Sequence, residues 1–334
     1  MTKICIYGLG AVGGLLAARL ARSGVAVNAV ARGATLAAVH EKGLSLRETV
    51  QGQPVTTQHA VHATDNPVDL GVQDVVVVAV KTTGLAGVAA GIAPLMDEHT
   101  TVLSAMNGVP WWFFHGMAPE LASLKLDSVD PGGALSRAIR PERVVGCVTH
   151  LSATTPAPGV VQHVAGQRLI VGEPVGGADS ARSRHLIQLL RNADFDVDPA
   201  ASIQREIWFK LWGNMTVNPI SALTGATGDR ILDDELVRAF MSRCMRESAA
   251  IGERIGLPID ADPEGRHAVT RQLGAFRTSM LQDAEAGKPL EIDALVRAVV
   301  EIARQLGVPT PEIDTLLGLA RLKARVAGLY PDAA

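Results

Sequence analysis

Three polar side chains at four-residue intervals interrupt an apolar stretch of the chain, and their types could take part in chemistry. Lys210, Asn214 and Asn218 lie within Ile207–Gly225, and on a helix the three would share one face. Burying such groups without partners costs on the order of 1–3 kcal/mol for a neutral polar group and more for a charge. The spacing therefore predicts that they either pair inside the protein or face a bound polar molecule.

A lysine on this face has the chemistry that reduction of a ketone requires. Lys210 could donate a proton to the developing alkoxide, and its ammonium could stabilise the oxyanion. Asn214, Asn218 and Ser279 are neutral donors that could hold a substrate carboxylate. Glu291 could orient Lys210 or accept a hydrogen bond from a substrate hydroxyl. The alternatives are structural: a lysine that reaches to water, a surface serine, and a glutamate that caps the helix it opens.

The N-terminal residues predict where a hydride donor would bind. A buried strand over 3–7 is followed by a glycine-rich turn, a helical run and a second strand over 25–31. Strand, G-x-G-x-x-G, helix and strand within about thirty residues is the context in which this motif binds dinucleotides. The glycines permit the tight turn, the close approach of a pyrophosphate and the packing of the helix, whose N-terminus faces the phosphates. We predict that six residues of this turn bind the cofactor: Gly8, Leu9, Gly10, Ala11, Val12 and Gly13. The alternative is a glycine-rich turn that binds no ligand.

Residues that follow the next strands are further cofactor candidates. An NAD site usually carries Asp or Glu after the second strand, whereas Arg32 stands here and would meet a 2′-phosphate. This favours NADP(H). Lys81 follows the buried run 74–80, and Asn107 follows a strand over 100–105. Because ligands gather at the carboxyl ends of parallel strands, Lys81 would contact the cofactor and Asn107 would orient nicotinamide or substrate, unless they are ordinary surface and turn residues.

The composition argues against several other classes of protein. Of 334 residues, 47% are hydrophobic and 19% charged, and the net charge is −3, which leaves no positive excess for nucleic acid or an anionic membrane. The three cysteines are far apart and form no C-x-x-C pair, so neither a disulfide framework nor a zinc site is expected. No apolar run reaches the ~18 residues of a membrane span, and an apolar run begins too early for a signal peptide. We expect a cytoplasmic protein with a small-molecule partner and no metal.

The order of predicted elements indicates an α/β fold with two domains. Residues 1–199 are predicted to form a Rossmann-type dinucleotide-binding domain, whose sheet is extended by antiparallel strands over 144–151, 160–164 and 169–171. Residues 200–330 are predicted to form an all-helical substrate domain, with Pro199 at the boundary. Two such domains would hold a substrate in a cleft between them. The aromatic run 111–114 is interpreted as local core, with a cleft lining or partner surface as the alternative.

Together these motifs resemble those of the ketopantoate reductase family, nearly from end to end. The Lys-x3-Asn-x3-Asn-Pro element, with a later Ser-Met-x-x-Asp and a late Glu, is the specific part of the resemblance. The matching segments are G-L-G-A-V-G-G at 8–14, A-R at 31–32, V-K at 80–81, N-G at 107–108, W-F-K-L-W-G-N-M-T-V-N-P at 208–219, T-S-M-L-Q-D at 278–283 and L-E-I-D at 290–293.

The resemblance implies NADPH-dependent reduction of 2-dehydropantoate to (R)-pantoate in pantothenate biosynthesis, with NADP+ as the other product. It also implies a Rossmann domain joined to a helical domain of the 6-phosphogluconate-dehydrogenase-like type. By position, Lys210 would be the proton donor, and Glu291 would help to bind the cofactor or polarise the site. Substrate contacts would be Asn107, Asn214, Asn218 and Ser279; cofactor contacts would be residues 8–13, Arg32, Lys81 and Asn107.

The chain departs from the family pattern at several positions. Leu290 replaces the usual Thr, residues 293–297 lack the usual Asn-Gly, Met106 replaces a Gln, and the aromatic run 111–114 is untypical. These departures bear on the identity of the substrate, so a paralogue that reduces another 2-oxo acid is the first alternative. A catalytically silent NADP-binding regulatory protein is the second. Homodimerisation through the helical domain is compatible with either.

Overall fold

The computed structural model of the chain describes residues 2–332, which divide into two compact units. The first comprises the residues up to Met106 together with Gly132–Ile203. The second comprises Asn107–Pro131 together with the chain from Gln204 onward. The division into 1–199 and 200–330 stays a prediction of domain extents, but the structure groups Asn107–Pro131 with the helical unit, which a contiguous division did not anticipate.

The first unit is built on a sheet that contains ten strands within residues 2–332. Its strands are β1 Ile4–Tyr7, β2 Val27–Val30, β3 Leu44–Val50, β4 Gln53–His59, β5 His62–Thr64, β6 Val75–Val78, β7 Thr101–Ser104, β8 Val144–Ala157, β9 Val160–Gly172 and β10 Asp196–Pro199. The order is β4-β3-β9-β8-β7-β6-β1-β2-β5, and β10 pairs with β9. From β8 to β5 neighbouring strands run parallel, whereas β8 and β9 form a long antiparallel hairpin.

The first unit buries its parallel strands between helices. β1 and β6 read as continuous apolar runs, and every residue in both is buried, as expected for strands covered on both faces. The helices are α1 Ala11–Arg22, α2 Gly33–Lys42, α3 Leu85–Gly91, α5 Ala134–Ala138 and α6 Ala181–Asn192. Helix α1 packs closely on β9, because a Cβ added at Gly14 would lie 2.4 Å from Cγ2 of Val161.

The second unit is helical. Its elements are α4 Pro119–Ala122, α7 Ile203–Thr224, α8 Gly228–Asp233, α9 Glu235–Arg254, α10 Pro263–Arg271, α11 Ser279–Glu285, a π-helical turn Asp293–Arg297, α12 Ala298–Leu306 and α13 Pro311–Val326. Helix α9 is capped by the Asp234 carboxylate, which accepts hydrogen bonds from the N–H groups of Leu236 and Val237. The predicted α/β class, with a Rossmann-type N-terminal unit and a helical C-terminal unit, is confirmed.

Helix α7 is fixed by its aromatic side chains. Trp208 and Trp212 are each 1% exposed, and the Trp212 indole N–H donates a 2.7 Å hydrogen bond to the carbonyl of Met245 on α9. The predicted core role of the aromatic run 111–114 is confirmed, because all four side chains are buried and the Phe113 ring centroid lies 6.0 Å from that of Trp208. Among residues 2–332, no helix is both long enough and apolar enough to cross a membrane.

Candidate functional site

Helix α7 displays the predicted polar face. Lys210, Asn214 and Asn218 all lie within its 22 residues at i, i+4 and i+8, so their side chains share one side of the helix. Lys210 and Asn214 are half-buried, and Asn218 is 7% exposed. The opposite side carries Trp208 and Trp212, which fix the rotation of the helix and therefore the direction of the polar face.

The Lys210 ammonium contacts one of the other candidates directly. Its Nζ donates a 2.8 Å hydrogen bond to Oδ1 of Asn107 in the same unit. Both side chains are partly buried, and a charged donor makes the stronger kind of hydrogen bond. The bond limits the rotamers available to a long, flexible side chain, so it holds the ammonium in a defined place.

Asn107 belongs to a short segment that is itself anchored. Gly108 has a positive φ of +81°, and the next residue, Val109, donates its N–H to the carbonyl of Ala294 at 2.9 Å. Ala294 lies in the π-helical turn, three residues after Glu291. No pattern in the sequence indicates this contact, because it joins the backbones of Val109 and Ala294.

Glu291 lies directly before the helical residues that start at Ile292, so it opens this helix as predicted. It is half-buried, whereas the preceding Leu290 is 5% exposed and donates its backbone N–H to Leu329 at 3.0 Å. The Tyr330 hydroxyl donates a 2.6 Å hydrogen bond to Asp293 just beyond. Contacts with the C-terminal residues therefore hold both sides of Glu291.

Ser279 is the first residue of α11 and is exposed, so its hydroxyl is open to a ligand. The preceding Thr278 caps the helix, since its Oγ1 accepts the N–H of Leu281 at 3.1 Å. The loop before it is pinned to α8: Gly228 donates its N–H to Phe276 at 3.0 Å, and the Phe276 ring leaves no space for a Cβ at Gly228. Ser279 is thus a positioned hydroxyl on a different helix from Lys210.

The glycine-rich turn between β1 and α1 fits a dinucleotide. Gly8 has φ +103°, and a Cβ there would lie 2.6 Å from Cγ1 of Val80. A Cβ at Gly13 would lie 2.0 Å from the Gly8 carbonyl oxygen, so the turn and the helix pack in direct contact. Gly10 is exposed with nothing within 4 Å of its Cβ position. The first turn of α1 carries no acid, which leaves its N–H groups suited to an anion.

The other cofactor candidates lie around the same edge of the sheet. The glycine turn, Arg32 and Lys81 follow β1, β2 and β6, which are neighbours in the order β6-β1-β2. Arg32 is exposed, and a Cβ added at Gly87 would be 3.6 Å from its Nη2. Burial raises the pKa of the Tyr7 hydroxyl, against the opposing positive charge of Arg32 beside it. Lys81 is half-buried at the start of a short 3₁₀ turn.

Among residues 2–332, no group of three or more His, Cys, Asp or Glu side chains is arranged to hold a metal ion. The first unit carries the glycine-rich turn between β1 and α1, and the second carries a lysine that shares a helix face with two asparagines and bonds a third.

Comparisons with known proteins agree with this arrangement. A family model described as ketopantoate reductase PanE/ApbA matches residues 4–176, and its C-terminal counterpart matches residues 202–324. A 2-dehydropantoate 2-reductase from Mesorhizobium japonicum is 44% identical over 98% of this chain and 99% of its own. A provisionally named ketopantoate reductase from Ralstonia solanacearum MolK2 has a TM-score of 0.93 at 55% identity over 98% of this chain and 99% of its own. A D-mandelate dehydrogenase solved with NADH and anilino(oxo)acetate shares the fold, with a TM-score of 0.82 at 19% identity over 98% of this chain and 99% of its own.

Proposed function

The chain belongs to the ketopantoate reductase family, and from that premise we propose that it reduces 2-dehydropantoate to (R)-pantoate with NADPH in pantothenate synthesis. It is an oxidoreductase that acts on a CH–OH group and uses a nicotinamide cofactor. The observation that carries the proposal for the site is the polar face of α7, where Lys210 is held by Asn107 at 2.8 Å.

Lys210 is proposed as the proton donor. A bound nicotinamide cofactor supplies a hydride to the carbonyl carbon. The ketone becomes an alkoxide, and a proton moves from Nζ of Lys210 to that oxygen, which breaks an N–H bond and forms the hydroxyl. Before transfer the ammonium stabilises the negative charge that develops on the oxygen. Asn107 accepts a hydrogen bond from Nζ and so helps to keep the ammonium in place.

The neutral donors are proposed to hold the rest of the substrate. Asn214 and Asn218 lie on the same helical face as Lys210, and Ser279 presents an exposed hydroxyl. Amide and hydroxyl donors can hold a carboxylate without a second cation beside the lysine. Glu291 is proposed to accept a hydrogen bond from a substrate hydroxyl or to help bind the cofactor.

The preference for NADPH is proposed from the residues that would hold the adenosine end. Arg32 follows β2, where an acid would select the unphosphorylated ribose, and its exposed guanidinium matches a 2′-phosphate. The turn at residues 8–13 is proposed to hold the pyrophosphate, with Lys81 as a further contact. A cytoplasmic location and a homodimer stay predictions.

The decisive assay follows NADPH absorbance after addition of 2-dehydropantoate, with NADH measured in parallel. We expect rapid oxidation of NADPH with a strong preference over NADH. A panel of other 2-oxo acids tests the paralogue alternative, which turnover of another acid without turnover of 2-dehydropantoate would establish. Tight NADPH binding without turnover of any 2-oxo acid would point to the silent regulatory protein instead.

A further inference from the structure

We propose that the contact between Gly108 and Ala294 positions Asn107 against Lys210. Gly108 and Ala294 are then positioning residues for the reaction. The inference rests on the proposed function only for its kinetic readout. Its basis is a chain of three contacts within the second unit, from the π-helical turn to the 107–109 segment and from there to α7.

Gly108 packs against Ala294 with no room for a side chain. With φ at +81°, it adopts a backbone conformation that residues with a side chain rarely reach. A Cβ at this position would lie 2.5 Å from the carbonyl oxygen of Ala294 and 2.7 Å from its carbonyl carbon and Cβ. Two of these three atoms are backbone, so a clash could be relieved only by moving one backbone segment away from the other.

The π-helical turn explains why Ala294 can receive this segment. Its carbonyl accepts the N–H of Val109 at 2.9 Å. A π-helical turn widens a helix locally, and such turns are frequent at functional sites. The turn spans Asp293–Arg297 and lies directly after Glu291 and Ile292, and Ala294 is 1% exposed. The backbone of this buried turn therefore packs against Gly108 and binds Val109 through a hydrogen bond.

The consequence for Lys210 follows from distance. Asn107 is bonded directly to Gly108, and its Oδ1 lies 2.8 Å from Nζ of Lys210. A shift of about 1 Å would take this contact beyond hydrogen-bonding range, and displacements of that size near a reacting group can cost about 100-fold in rate. The packing of Gly108 on Ala294 thus sets the position of Lys210 through Asn107, although Gly108 and Ala294 carry no functional side-chain group.

The first test is the variant Gly108→Ala, with Gly256→Ala as the matched control. Gly256 has a similar φ of +74° in the same unit but nothing within 4 Å of its Cβ position, so it reports the effect of backbone strain alone. We expect Gly108→Ala to lower kcat by about 10- to 100-fold relative to the control. In an Asn107→Ala background the same substitution should cost less than about twofold, because the residue through which it acts is already gone.

A second variant approaches the contact from the helix. Ala294→Val adds methyl groups on the side of Gly108, and Ala298→Val makes the same enlargement at a buried position one turn later. We expect the kcat loss only from Ala294→Val, again suppressed in the Asn107→Ala background. This variant keeps the proposal testable if Gly108→Ala does not fold.

Acylation of Lys210 by acetic anhydride, followed by mass spectrometry, gives a readout that needs no turnover. Without the hydrogen bond to Asn107, Nζ of Lys210 is held less firmly. Gly108→Ala and Ala294→Val should therefore each acylate Lys210 faster by about threefold or more than their controls, and Asn107→Ala by the same factor relative to the wild type. The positioning role of Gly108 and Ala294 would be overturned if their variants lost kcat equally in the wild-type and Asn107→Ala backgrounds. Unchanged acylation of Lys210 in these variants would also overturn it. If the wild type reduces no 2-oxo acid, the proposed function fails, and labelling alone decides this inference.

Discussion

The Lys210 ammonium donates a 2.8 Å hydrogen bond to Oδ1 of Asn107, a residue 103 positions earlier in the chain. The bond joins the polar face of α7 to the segment that follows β7, and it lies wholly inside the second unit. The position of the lysine is thus set by a residue of a different segment and not by its own helix alone. Activity should therefore respond to changes in either segment.

Removal of the lysine amine should abolish most of the activity. Lys210→Ala is expected to lower kcat by roughly 10²–10⁴-fold, because a positioned general acid contributes about that much. Lys323→Ala removes an exposed lysine of α13 in the same unit and serves as the control. Steady-state kinetics with 2-dehydropantoate and a fluorescence titration with NADPH separate catalysis from cofactor binding. A loss below about threefold, with the fold intact, would remove Lys210 from the role of proton donor.

Cofactor preference should depend on Arg32. Arg32→Ala is expected to raise the Kd for NADPH by about 10- to 100-fold, the effect of losing a charged hydrogen-bonding partner, and to leave the Kd for NADH nearly unchanged. Arg47→Ala removes another exposed arginine of the same unit as a control. An equal increase in the Kd for NADPH and for NADH would show that Arg32 does not recognise the 2′-phosphate.

The features that local sequence encodes could be predicted. The apolar run of β1, the glycine turn and the helix that follows depend on neighbours within a few residues, and the structure has the predicted strand and helix on either side of the turn. The roles of the site residues stay predictions. What the structure adds is that Lys210, Asn214 and Asn218 share a helix face and that Lys210 meets Asn107.

Features that depend on distant parts of the chain could not be predicted. Two strands were expected over 160–164 and 169–171, but β9 is continuous from Val160 to Gly172. Its middle residues are mostly exposed and carry no apolar alternation, and they stay extended because the backbone pairs with β8. The grouping of Asn107–Pro131 with the helical unit has the same cause, since contacts such as Val109 to Ala294 leave no mark on the local sequence.

Substitutions at two glycines of the N-terminal turn should affect stability and NADPH binding differently. Gly13→Ala places a Cβ 2.0 Å from the Gly8 carbonyl, so we expect both a lower Tm and weaker NADPH binding. The Cβ added by Gly10→Ala meets nothing within 4 Å, so the Tm should stay within about a degree or two. Its methyl group would stand where the protein backbone must approach the pyrophosphate of NADPH, so binding of NADPH should weaken. Differential scanning fluorimetry with and without NADPH measures both effects. Unchanged NADPH binding by Gly10→Ala would argue against the phosphate-binding role of this turn.

Acid should destabilise the protein through groups outside the site. Burial lowers the pKa of His267 below its ordinary 6.5, and its Nε2 lies 2.9 Å from Oγ of Ser242. Burial alone would raise the pKa of Glu173, but hydrogen bonds from Arg182, Ser180 and Ser183 outweigh it and hold that pKa below 4.5. In both cases the unfolded chain binds the proton more readily. The free energy of unfolding should therefore fall as the pH drops below about 6.5, and fall further below about 4.5.

The histidine contribution can be isolated with His267→Gln, which keeps a hydrogen-bonding side chain but removes the titrating ring. Urea unfolding at pH 7.5, 6.5 and 5.5 should show a smaller loss of stability on acidification for this variant than for the wild type, because the unfolded state no longer gains that proton. His99→Gln replaces a histidine whose side chain is 84% exposed and should follow the wild-type curve. Parallel stability curves for His267→Gln and the wild type would show that the buried ring does not contribute to acid sensitivity.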